Sequence, residues 1–569
     1  MSAHLTRLLH TRVYSTTAFN FALISRRSFL RGAAAGAFSL PFQSVVSRPA
    51  PEVLYNGITL GTPWPPRRQY ADEYPVAVPY LVSPPAVIPI DVGRQLLVDD
   101  FLVEETSMLR QWHHATYHPA NPILRPETTW EHRDDVNQPN NRPSNPASMV
   151  YSDGVFFDPS DRLFKMWYMG GYGMYTCLAT SRDGISWERP AFDVARGTNI
   201  VHNQNRDSST VWLDLHASDR RERFKMTTWY DHALMLWTSP DGIHWTMRGE
   251  TGRTGDRSTF FHNPFRDVWV YSLRSNQFES SISGRYRHYW ETRDFTSAHS
   301  WSPEPVAWVK ADSRDFSHAE VTTRPELYNL DCVAYESVLL GLFTIWRGET
   351  AWREKINEIT VGFSRDGFHW DRPDRRTFIG VSDEAGSWNW GNVQSAGGCC
   401  VIVGDLLHFY VSGRQGRPGT NEPGICSTGL ATLRRDGFAS MEWQPDASSV
   451  RRRADHGLLT TRPVRFSGSH LFVNADLQGG ELRAEILDRD GRVIPPFARD
   501  VCTPVTGNGT RLAVTWSKGT LKDLASEVVR LRFSMTRGRL YAFWISPDAT
   551  GRSRGYAAAG GPGFQGPVD

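Results

Sequence analysis

Carboxylates that stand just before apolar, strand-like runs are the residues of this 569-residue chain best suited to catalysis. Glu336 and Asp256 have this position, and Asp135 follows Asp134 shortly before another such run. One of two adjacent carboxylates raises the pKa of the other. A carboxylic acid with a raised pKa can protonate a leaving group while a second, ionised carboxylate acts as nucleophile or base. We therefore predict Glu336, Asp256 and Asp135 as catalytic residues.

Each of these carboxylates has an alternative reading as a solvated or ion-paired residue at a strand entry. Asp153 occupies a Ser-Asp-Gly turn, and alignment of residues 149–153 with 210–214 places Asp214 at the equivalent position. That equivalence favours a structural role for both. Asp331, which precedes a cysteine, is a further candidate.

Arginines near the ends of predicted strands are candidates for binding an anionic group. An arginine fork suits a carboxylate, sulfate or phosphate, whereas the alternative for each is a surface arginine. The candidate arginines are Arg142, Arg257, Arg274, Arg324 and Arg347. Tyr335, the aromatic neighbour of Glu336, is a further candidate for substrate binding.

A short motif that recurs five times organises the chain. Three copies read Ser-x-Asp-Gly-x-x-Trp and two are degenerate. Asp-Gly favours a tight hairpin because both residues tolerate positive φ, and the Ser hydroxyl can bond the turn backbone. We therefore interpret these aspartates as turn residues, not catalytic ones, with each Trp packed between repeats. They are Asp183, Asp241, Asp294, Asp366 and Asp436.

The repeats predict the architecture. Successive aspartates are about fifty to seventy residues apart and follow alternating apolar runs, which suits one four-stranded propeller blade per repeat. We predict an all-β chain with a five-bladed β-propeller over 111–450 and a C-terminal β-sandwich over 455–548. Residues 51–110 are assigned to an N-terminal extension. The Gly- and Ala-rich tail 549–569 is predicted to be disordered.

Composition excludes several classes of protein. The 63 basic and 61 acidic residues nearly balance, which disfavours a nucleic-acid partner. The six cysteines show no CxxC spacing and are too sparse for a disulfide scaffold. No phosphate loop, dinucleotide fingerprint or Ser-His-Asp order is present. We expect no cofactor and no metal, and the oligomeric state stays open.

The N-terminus resembles an export signal. Ser25–Arg31 contains Arg-Arg and Phe-Leu pairs before a mildly apolar run from Gly32 to Val46, the pattern of a twin-arginine signal. The run is too short for a membrane anchor. We predict residues 1–50 as a signal and processing region, no further membrane contact, and a periplasmic or secreted location. Because this route carries folded proteins, the fold is expected not to need disulfides.

Two short stretches resemble glycoside hydrolase families 32, 43 and 130. His118–Leu124 followed by Trp130-Glu131 is similar to the entry to their first blade, and Ser144–Pro146 stands where they carry Asp-Pro or Asn-Pro. The resemblance implies a propeller with an axial pocket that takes a sugar, and it adds Trp130 and Asn145 as substrate-binding residues. The Trp-Met-Asn-Asp-Pro-Asn and Glu-Cys-Pro motifs of family 32 are absent, so fructan hydrolysis is not implied.

These observations predict an exported glycoside hydrolase that acts on a poly- or oligosaccharide with paired carboxylates in the axial pocket. One alternative is a carbohydrate-binding propeller without catalysis. Another is a phosphorylase or a uronate lyase on the same fold, which the number of arginines keeps open. The sugar, the linkage and the stereochemical course are not specified by these patterns.

Overall fold

The computed structural model describes residues 51–67, 75–132, 145–274, 284–321, 323–444 and 455–569. Within these ranges the chain is nearly all β, which confirms the all-β prediction. The α-helix there is the four-residue segment Pro79–Val82. Short 3-10 helices cover Arg220–Glu222, Phe295–Ser297, Pro495–Phe497, Arg499–Val501 and Leu521–Leu524.

The strands are numbered in chain order. The first seventeen are β1 (Ile88–Pro89), β2 (Gln95–Leu96), β3 (Val103–Thr106), β4 (Leu109–Trp112), β5 (Thr116–Tyr117), β6 (Ser148–Asp158), β7 (Leu163–Gly170), β8 (Tyr175–Ser181), β9 (Ile200–His202), β10 (Ser209–Leu213), β11 (Phe224–Tyr230), β12 (Ala233–Ser239), β13 (Thr246–Arg253), β14 (Thr259–Asn263), β15 (Val268–Arg274), β16 (Tyr286–Thr292) and β17 (Val306–Lys310). The remainder are β18 (Glu326–Glu336), β19 (Val338–Thr350), β20 (Arg353–Ser364), β21 (Asn392–Ser395), β22 (Val401–Val403), β23 (Leu406–Arg414), β24 (Cys426–Arg434), β25 (Ala439–Trp443), β26 (Gly457–Thr461), β27 (Val464–Arg465), β28 (His470–Asp476), β29 (Leu482–Leu487), β30 (Asn508–Val514), β31 (Arg530–Met535), β32 (Gly538–Ser546) and β33 (Tyr556–Ala557).

Five antiparallel sheets follow one another along the chain. Their orders are β6-β7-β8-β9, β10-β11-β12-β13, β14-β15-β16-β17, β18-β19-β20 with β33 beside β18, and β21-β23-β24 with β5 on its outer edge. The first strand of each sheet contacts the first strand of the next, and β21 contacts β6, so the five first strands form a closed ring. We refer to these as sheets one to five. β5 comes from the N-terminal part of the chain, and it completes sheet five, which is the last of the five sheets in chain order.

The inner strands are buried on both faces because each sheet packs against its two neighbours. Every residue of β6 is buried, and β7 is buried except at its first residue. This explains why these strands read as nearly continuous apolar runs, since neither face meets water. One hydrophobic core runs through all five sheets.

The repeated Asp-containing turns follow the third strand of each sheet, and in sheets one to three they connect the third and fourth strands. The Asp183 carboxylate accepts hydrogen bonds from the backbone N–H groups of Ile185 and Ser186, both at 2.8 Å. Only the glycine of the pair has positive φ, 74° at Gly184, so the turn differs from the predicted form in which both residues do. The Tyr410 hydroxyl of sheet five donates to the Gly184 carbonyl at 2.9 Å. The hairpin is therefore a contact between sheets.

Hydrogen bonds of this kind, between a turn and the neighbouring sheet, recur elsewhere in the ring. The Trp167 indole of sheet one donates to the Gly242 carbonyl at 2.9 Å, and the Trp308 indole of sheet three donates to the Phe368 carbonyl at 2.7 Å. In the fifth copy, Asp436 accepts from the Tyr335 hydroxyl at 2.5 Å. Each of these four turns thus contacts the preceding sheet of the ring, which agrees with the structural interpretation of the motif.

Two further sheets share a second hydrophobic core. Their strand orders are β30-β28-β32-β25-β4, with β2 also on β32, and β29-β31-β26-β3. Three of these strands, β2 to β4, come from the segment 51–110 that was predicted as an extension. This segment therefore pairs with strands that lie more than three hundred residues later in the chain.

Residues 551–569 are ordered, whereas the sequence predicts a disordered tail. They lie across the end of the ring where the first strands finish. Ala559 donates its N–H to the Cys400 carbonyl at 3.0 Å and accepts at 2.9 Å from the N–H of Phe157. β33 also extends sheet four beside β18. The composition misleads because small residues are required here: a Cβ on Gly561 would lie 1.8 Å from the Ile402 carbonyl oxygen.

Candidate active site

Charged and aromatic side chains from all five sheets meet at the opposite end of the ring, where the first strands begin. In an antiparallel sheet the start of the first strand lies beside the end of the second and the start of the third. Arg274 at the end of β15 pairs with Arg287 near the start of β16, and Arg414 ends β23. Turns and strand ends of this kind free side chains for binding because they are not committed to a sheet face.

Arg257 and Tyr151 form the floor of this site. The Arg257 guanidinium lies 3.7 Å from the centre of the Tyr151 ring. It donates to the Tyr151 carbonyl and to the Ser152 hydroxyl, both at 3.1 Å. The Arg257 N–H donates to the Ser208 hydroxyl at 2.9 Å, which joins sheets two and three. Arg257 has a φ of 58°, a conformation that non-glycine residues rarely adopt and that clusters at functional sites.

A buried carboxyl group, Asp331, lies below this floor on the axis of the ring. It accepts hydrogen bonds from the hydroxyls of Ser395 at 2.6 Å and Ser152 at 3.1 Å, and from the amide of Asn329 at 2.8 Å. Burial raises the pKa of Asp331. Asp331 is 3% exposed, and these hydrogen bonds hold sheets one, four and five together.

Tyr328 is surrounded by cations. The Lys355 ammonium lies 5.8 Å and the Arg285 guanidinium 5.5 Å from its ring centre. Burial opposes ionisation of this phenol, but the positive charges of Lys355 and two arginines, Arg414 and Arg257, outweigh burial and lower its pKa. A phenol of this kind can donate or accept a proton more readily than an ordinary tyrosine.

Two aspartates stand at the heads of neighbouring first strands. Asp207 lies two residues before β10 and Asp256 three residues before β14. Asp256 forms an ion pair with Arg274. Among the described residues Asp207 has no ion-pair partner, and its Oδ1 is buried without a hydrogen bond, whereas the Oδ1 of Asp256 is the atom that pairs with Arg274. Asp207 therefore keeps an acceptor atom available beside the cationic floor, and Asp256 is held there by an arginine.

The arginines of sheet three are crowded. Burial, together with the charges of Arg274 and Arg257, lowers the pKa of Arg287 well below its usual value. The Arg287 guanidinium donates to the carbonyls of Arg257, at 2.8 Å, and Tyr328. Burial and the charge of Arg285 likewise lower the pKa of Arg274. Positive charge is in excess at this part of the site.

Of the predicted catalytic residues, Asp256 lies in this cluster and Glu336 does not. Glu336 ends β18, eight residues beyond Tyr328, or roughly 26 Å at the usual rise of a strand. It pairs with Arg435 at 2.9 Å and accepts from the Ser553 hydroxyl at 2.6 Å. Glu336 therefore anchors the segment that covers the far end of the ring. Asp135 lies outside the described residues.

The predicted binding residues divide in the same way. Arg257 and Arg274 line the site, whereas Tyr335 is fully buried against Asp436 at the far end. The Trp130 indole donates at 3.0 Å to the side chain of Asn199, which directly precedes β9, the outer strand of sheet one. Asn145 is buried, and its carbonyl accepts from the Tyr172 N–H at 3.2 Å. Arg142 lies outside the described residues.

The further candidates are held in ion pairs. Asp153 is buried and pairs with Arg206 at 2.9 Å, and burial raises its pKa. Asp214 binds the Lys225 ammonium at 2.6 Å. Arg347 pairs with Glu358 at 3.3 Å. Arg324 lies two residues before β18 and has an interaction partner.

Sequence reasoning missed Asp207, Tyr328, Lys355 and Arg414. A signal for Asp207 was present, because residues 207–210 and 256–259 share the pattern Asp-x-Ser-Thr before an apolar run. The other three carry no such pattern. They stand at strand ends that the hairpin repeats alone do not place on one edge.

Among the described residues, no group of three or more His, Cys, Asp or Glu side chains is arranged to hold a metal ion. No helix in the described part of the chain is long and apolar enough to cross a membrane.

No protein-family model matches the chain, and no curated protein matches it. Solved structures are similar in part. A thermostable family-43 glycoside hydrolase is 12% identical with a TM-score of 0.37, over 55% of this chain and 99% of that chain. A β-1,2-mannobiose phosphorylase from Listeria innocua is 12% identical with a TM-score of 0.37, over 57% of this chain and 98% of that chain. A fructofuranosidase from Schwanniomyces occidentalis is 11% identical with a TM-score of 0.31, over 74% of this chain and 99% of that chain. Likeness at this level assigns neither a substrate nor an activity to this chain.

Proposed function

We propose that sheets one to five are the blades of a five-bladed β-propeller, that the two further sheets form a β-sandwich, and that the chain is a glycoside hydrolase. The closed ring of first strands supports the first part. The observation that carries the activity is the pair Asp207 and Asp256. They stand at equivalent positions of neighbouring sheets. Asp207 has a buried acceptor oxygen that lacks a partner among the described residues, and Asp256 is ion-paired with Arg274.

The two carboxylates have different surroundings, which suggests different roles. The ion pair with Arg274 favours the charged form of Asp256, so Asp256 acts as the nucleophile or as the base that activates water. Asp207, which has no ion pair within the described ranges, protonates the oxygen of the leaving sugar. The glycosidic bond breaks as that oxygen takes the proton, and the anomeric carbon bonds to the nucleophile.

Neutral variants of the two acids test this proposal. We expect Asp207→Asn and Asp256→Asn each to lower kcat about 10²- to 10⁴-fold, since each removes one partner of the acid–base pair. Release of reducing ends from a panel of plant and algal polysaccharides is the assay. Asp241→Asn, at an outer hairpin, is the matched control and should keep full activity. Unchanged kcat in either site variant would refute the assignment, and binding without any release would indicate a carbohydrate-binding protein.

A uronate lyase is a second candidate, favoured by Tyr328. In such a reaction a base removes the proton on the carbon next to the carboxylate, the bond to the leaving sugar oxygen breaks, and a carbon–carbon double bond forms. A tyrosine with a lowered pKa beside arginines can serve as that base. Ultraviolet absorbance from an unsaturated product would identify the lyase. Its absence, with reducing ends released, would leave hydrolysis.

A further inference from the structure

We infer that this site takes a saccharide unit that carries an anionic group, either a ring carboxylate or a sulfate ester. The inference rests on the proposed function, because it assigns the substrate class to the same end of the ring. It is carried by cations that the described residues leave without a carboxylate partner and by the geometry of one buried arginine fork.

Arg257 and Lys355 are the cations without a carboxylate partner among the described residues. The Arg257 guanidinium is 1% exposed, and its described acceptors are a carbonyl and a hydroxyl, both neutral. Its Nε has no partner in the described part of the chain. Lys355 is half-buried against Tyr328 and forms no ion pair there. Buried cations are normally paired, so two at one site indicate an anion supplied from outside.

Arg414 offers a bidentate edge. Its Nη1 binds Glu354 at 2.9 Å, whereas Nε and Nη2 are buried with no hydrogen-bond partner in the described ranges. These two nitrogens form one side of the planar guanidinium, and that side matches two oxygens of a carboxylate or sulfate. Because Arg414 is only 1% exposed, an unmet N–H there is costly and a bound anion would satisfy it.

Aromatic rings pack against both guanidiniums. Arg414 lies 5.3 Å from the centre of the Tyr151 ring and 5.2 Å from that of Tyr172, and Arg257 covers the same Tyr151 ring. The rings fix the positions of both guanidiniums and exclude water from their faces. Attraction between the cations and an anionic sugar is therefore stronger than in open solvent. Asp207 and Asp256 stand at the rim, where the glycosidic oxygen of such a sugar would lie.

Matched pairs of oligosaccharides test the inference independently of turnover. One pair is a galacturonan oligomer and its carboxyl-reduced galactan counterpart, which share linkage and differ only in charge. The other is a sulfated galactan oligomer and its desulfated form. Calorimetric titration into the full chain should show at least tenfold tighter binding of the anionic member of one pair, and 0.5 M salt should reduce that preference because ions screen the attraction.

Two variants assign the preference to the site. Lys355→Gln removes a half-buried charge and should weaken anionic-sugar binding about tenfold, with little change for the neutral counterpart. Arg414→Lys keeps the charge but loses the bidentate edge, and it should also reduce the preference. Lys522→Gln, an exposed lysine on a 3-10 helix, is the matched control. Thermal unfolding of each variant shows whether it folds.

Each outcome of these titrations either supports or overturns the inference of an anionic sugar. Equal binding of charged and neutral members overturns the inference, while cleavage of the neutral member leaves glycoside hydrolysis standing. Binding of inorganic phosphate alone, without either anionic oligosaccharide, also overturns it. Preferred binding of an anionic oligosaccharide that is never cleaved supports the inference and refutes the proposed hydrolase. The pair of oligosaccharides whose anionic member binds more tightly identifies the anion as carboxylate or sulfate.

Discussion

At the scale of single residues, an acid's neighbours decide its role more than its place in a motif. Asp241 and Asp207 are both aspartates near strand ends. The Asp241 carboxylate is committed to the backbone N–H groups of Ile243 and His244, at 2.8 and 2.9 Å. Asp207 keeps a buried oxygen without a partner among the described residues. The conspicuous aspartates are thus structural, whereas Asp207 lies in a stretch without the recurring hairpin motif.

The Glu336→Gln variant separates stability from catalysis. Glu336 is 1% exposed and contacts Arg94, Arg435 and the Ser553 hydroxyl. Glu336→Gln removes one of the two carboxylates that pair with each arginine, since Arg94 also binds Asp436 and Arg435 also lies near Asp569. Because these charges are buried, we expect the free energy of unfolding to fall by about 3 kcal/mol. Denaturant titration measures this. Activity per folded molecule should be unchanged, and an inactive but equally stable variant would restore Glu336 as a catalytic candidate.

Asp371 should give stability an unusual pH dependence. Burial and the nearby charge of Asp99 raise the pKa of Asp371 to about 7. An unfolded aspartate has a pKa of about 3.9, so between about pH 4 and 7 the folded state holds a proton that the unfolded state has lost. This contribution to stability is therefore present at low pH and disappears as pH rises through 7.

The Asp371→Asn variant tests that sign. It cannot ionise, so we expect its Tm to exceed that of the parent protein at pH 8 and to match it at pH 4. Thermal melts across this range are the measurement. A variant that is less stable at pH 8 would show that the carboxylate has a partner whose attraction exceeds the cost of burial.

At the scale of elements, strands from distant parts of the chain close both assemblies. β5 completes sheet five beside β24, while β33 and the residues after it cover the far end of the ring. The segment Ala557–Gly561 consists of small residues because its backbone passes close to sheets one, four and five. This covering segment therefore contributes to the stability of the ring.

Two glycine variants test the covering segment. A Cβ on Gly561 would lie 1.8 Å from the Ile402 carbonyl oxygen, so Gly561→Ala must displace backbone. We expect Tm to fall by several degrees, as a loss of a few kcal/mol implies. Gly566→Ala is the matched control, since its added Cβ meets nothing within 4 Å. Equal Tm values for the two variants would show that the segment is not tightly packed.

At the scale of the whole molecule, the fold is held without disulfides. All six cysteines are buried and free. Burial raises the pKa of each of the thiols on sheets one, four and five, for example Cys400 and Cys426. We expect dithiothreitol to leave Tm unchanged and iodoacetamide to label no cysteine in the folded protein at pH 8, since only the thiolate reacts. A lower Tm in reductant would indicate a disulfide.

Export of the whole folded chain is a prediction from its N-terminal residues. We propose that Arg26 and Arg27 direct the folded chain through the twin-arginine route. The Arg26→Lys, Arg27→Lys double variant should accumulate in the cytoplasm, whereas the parent chain reaches the periplasm or medium. Cell fractionation with immunodetection distinguishes the two. Equal distribution of both proteins would contradict the signal assignment.

Local patterns in the chain were enough to predict the β class, the Asp-Gly turns and the structural role of their aspartates, because turn chemistry and alternation act over a few residues. They also marked Asp256, Arg257 and Arg274. Only the tertiary structure decided that Glu336 lies at the far end, that Asp207, Tyr328 and Arg414 share one site, and that residues 551–569 are ordered. These depend on which strand ends the closed ring brings together, and such pairings between distant residues leave no local pattern in the chain.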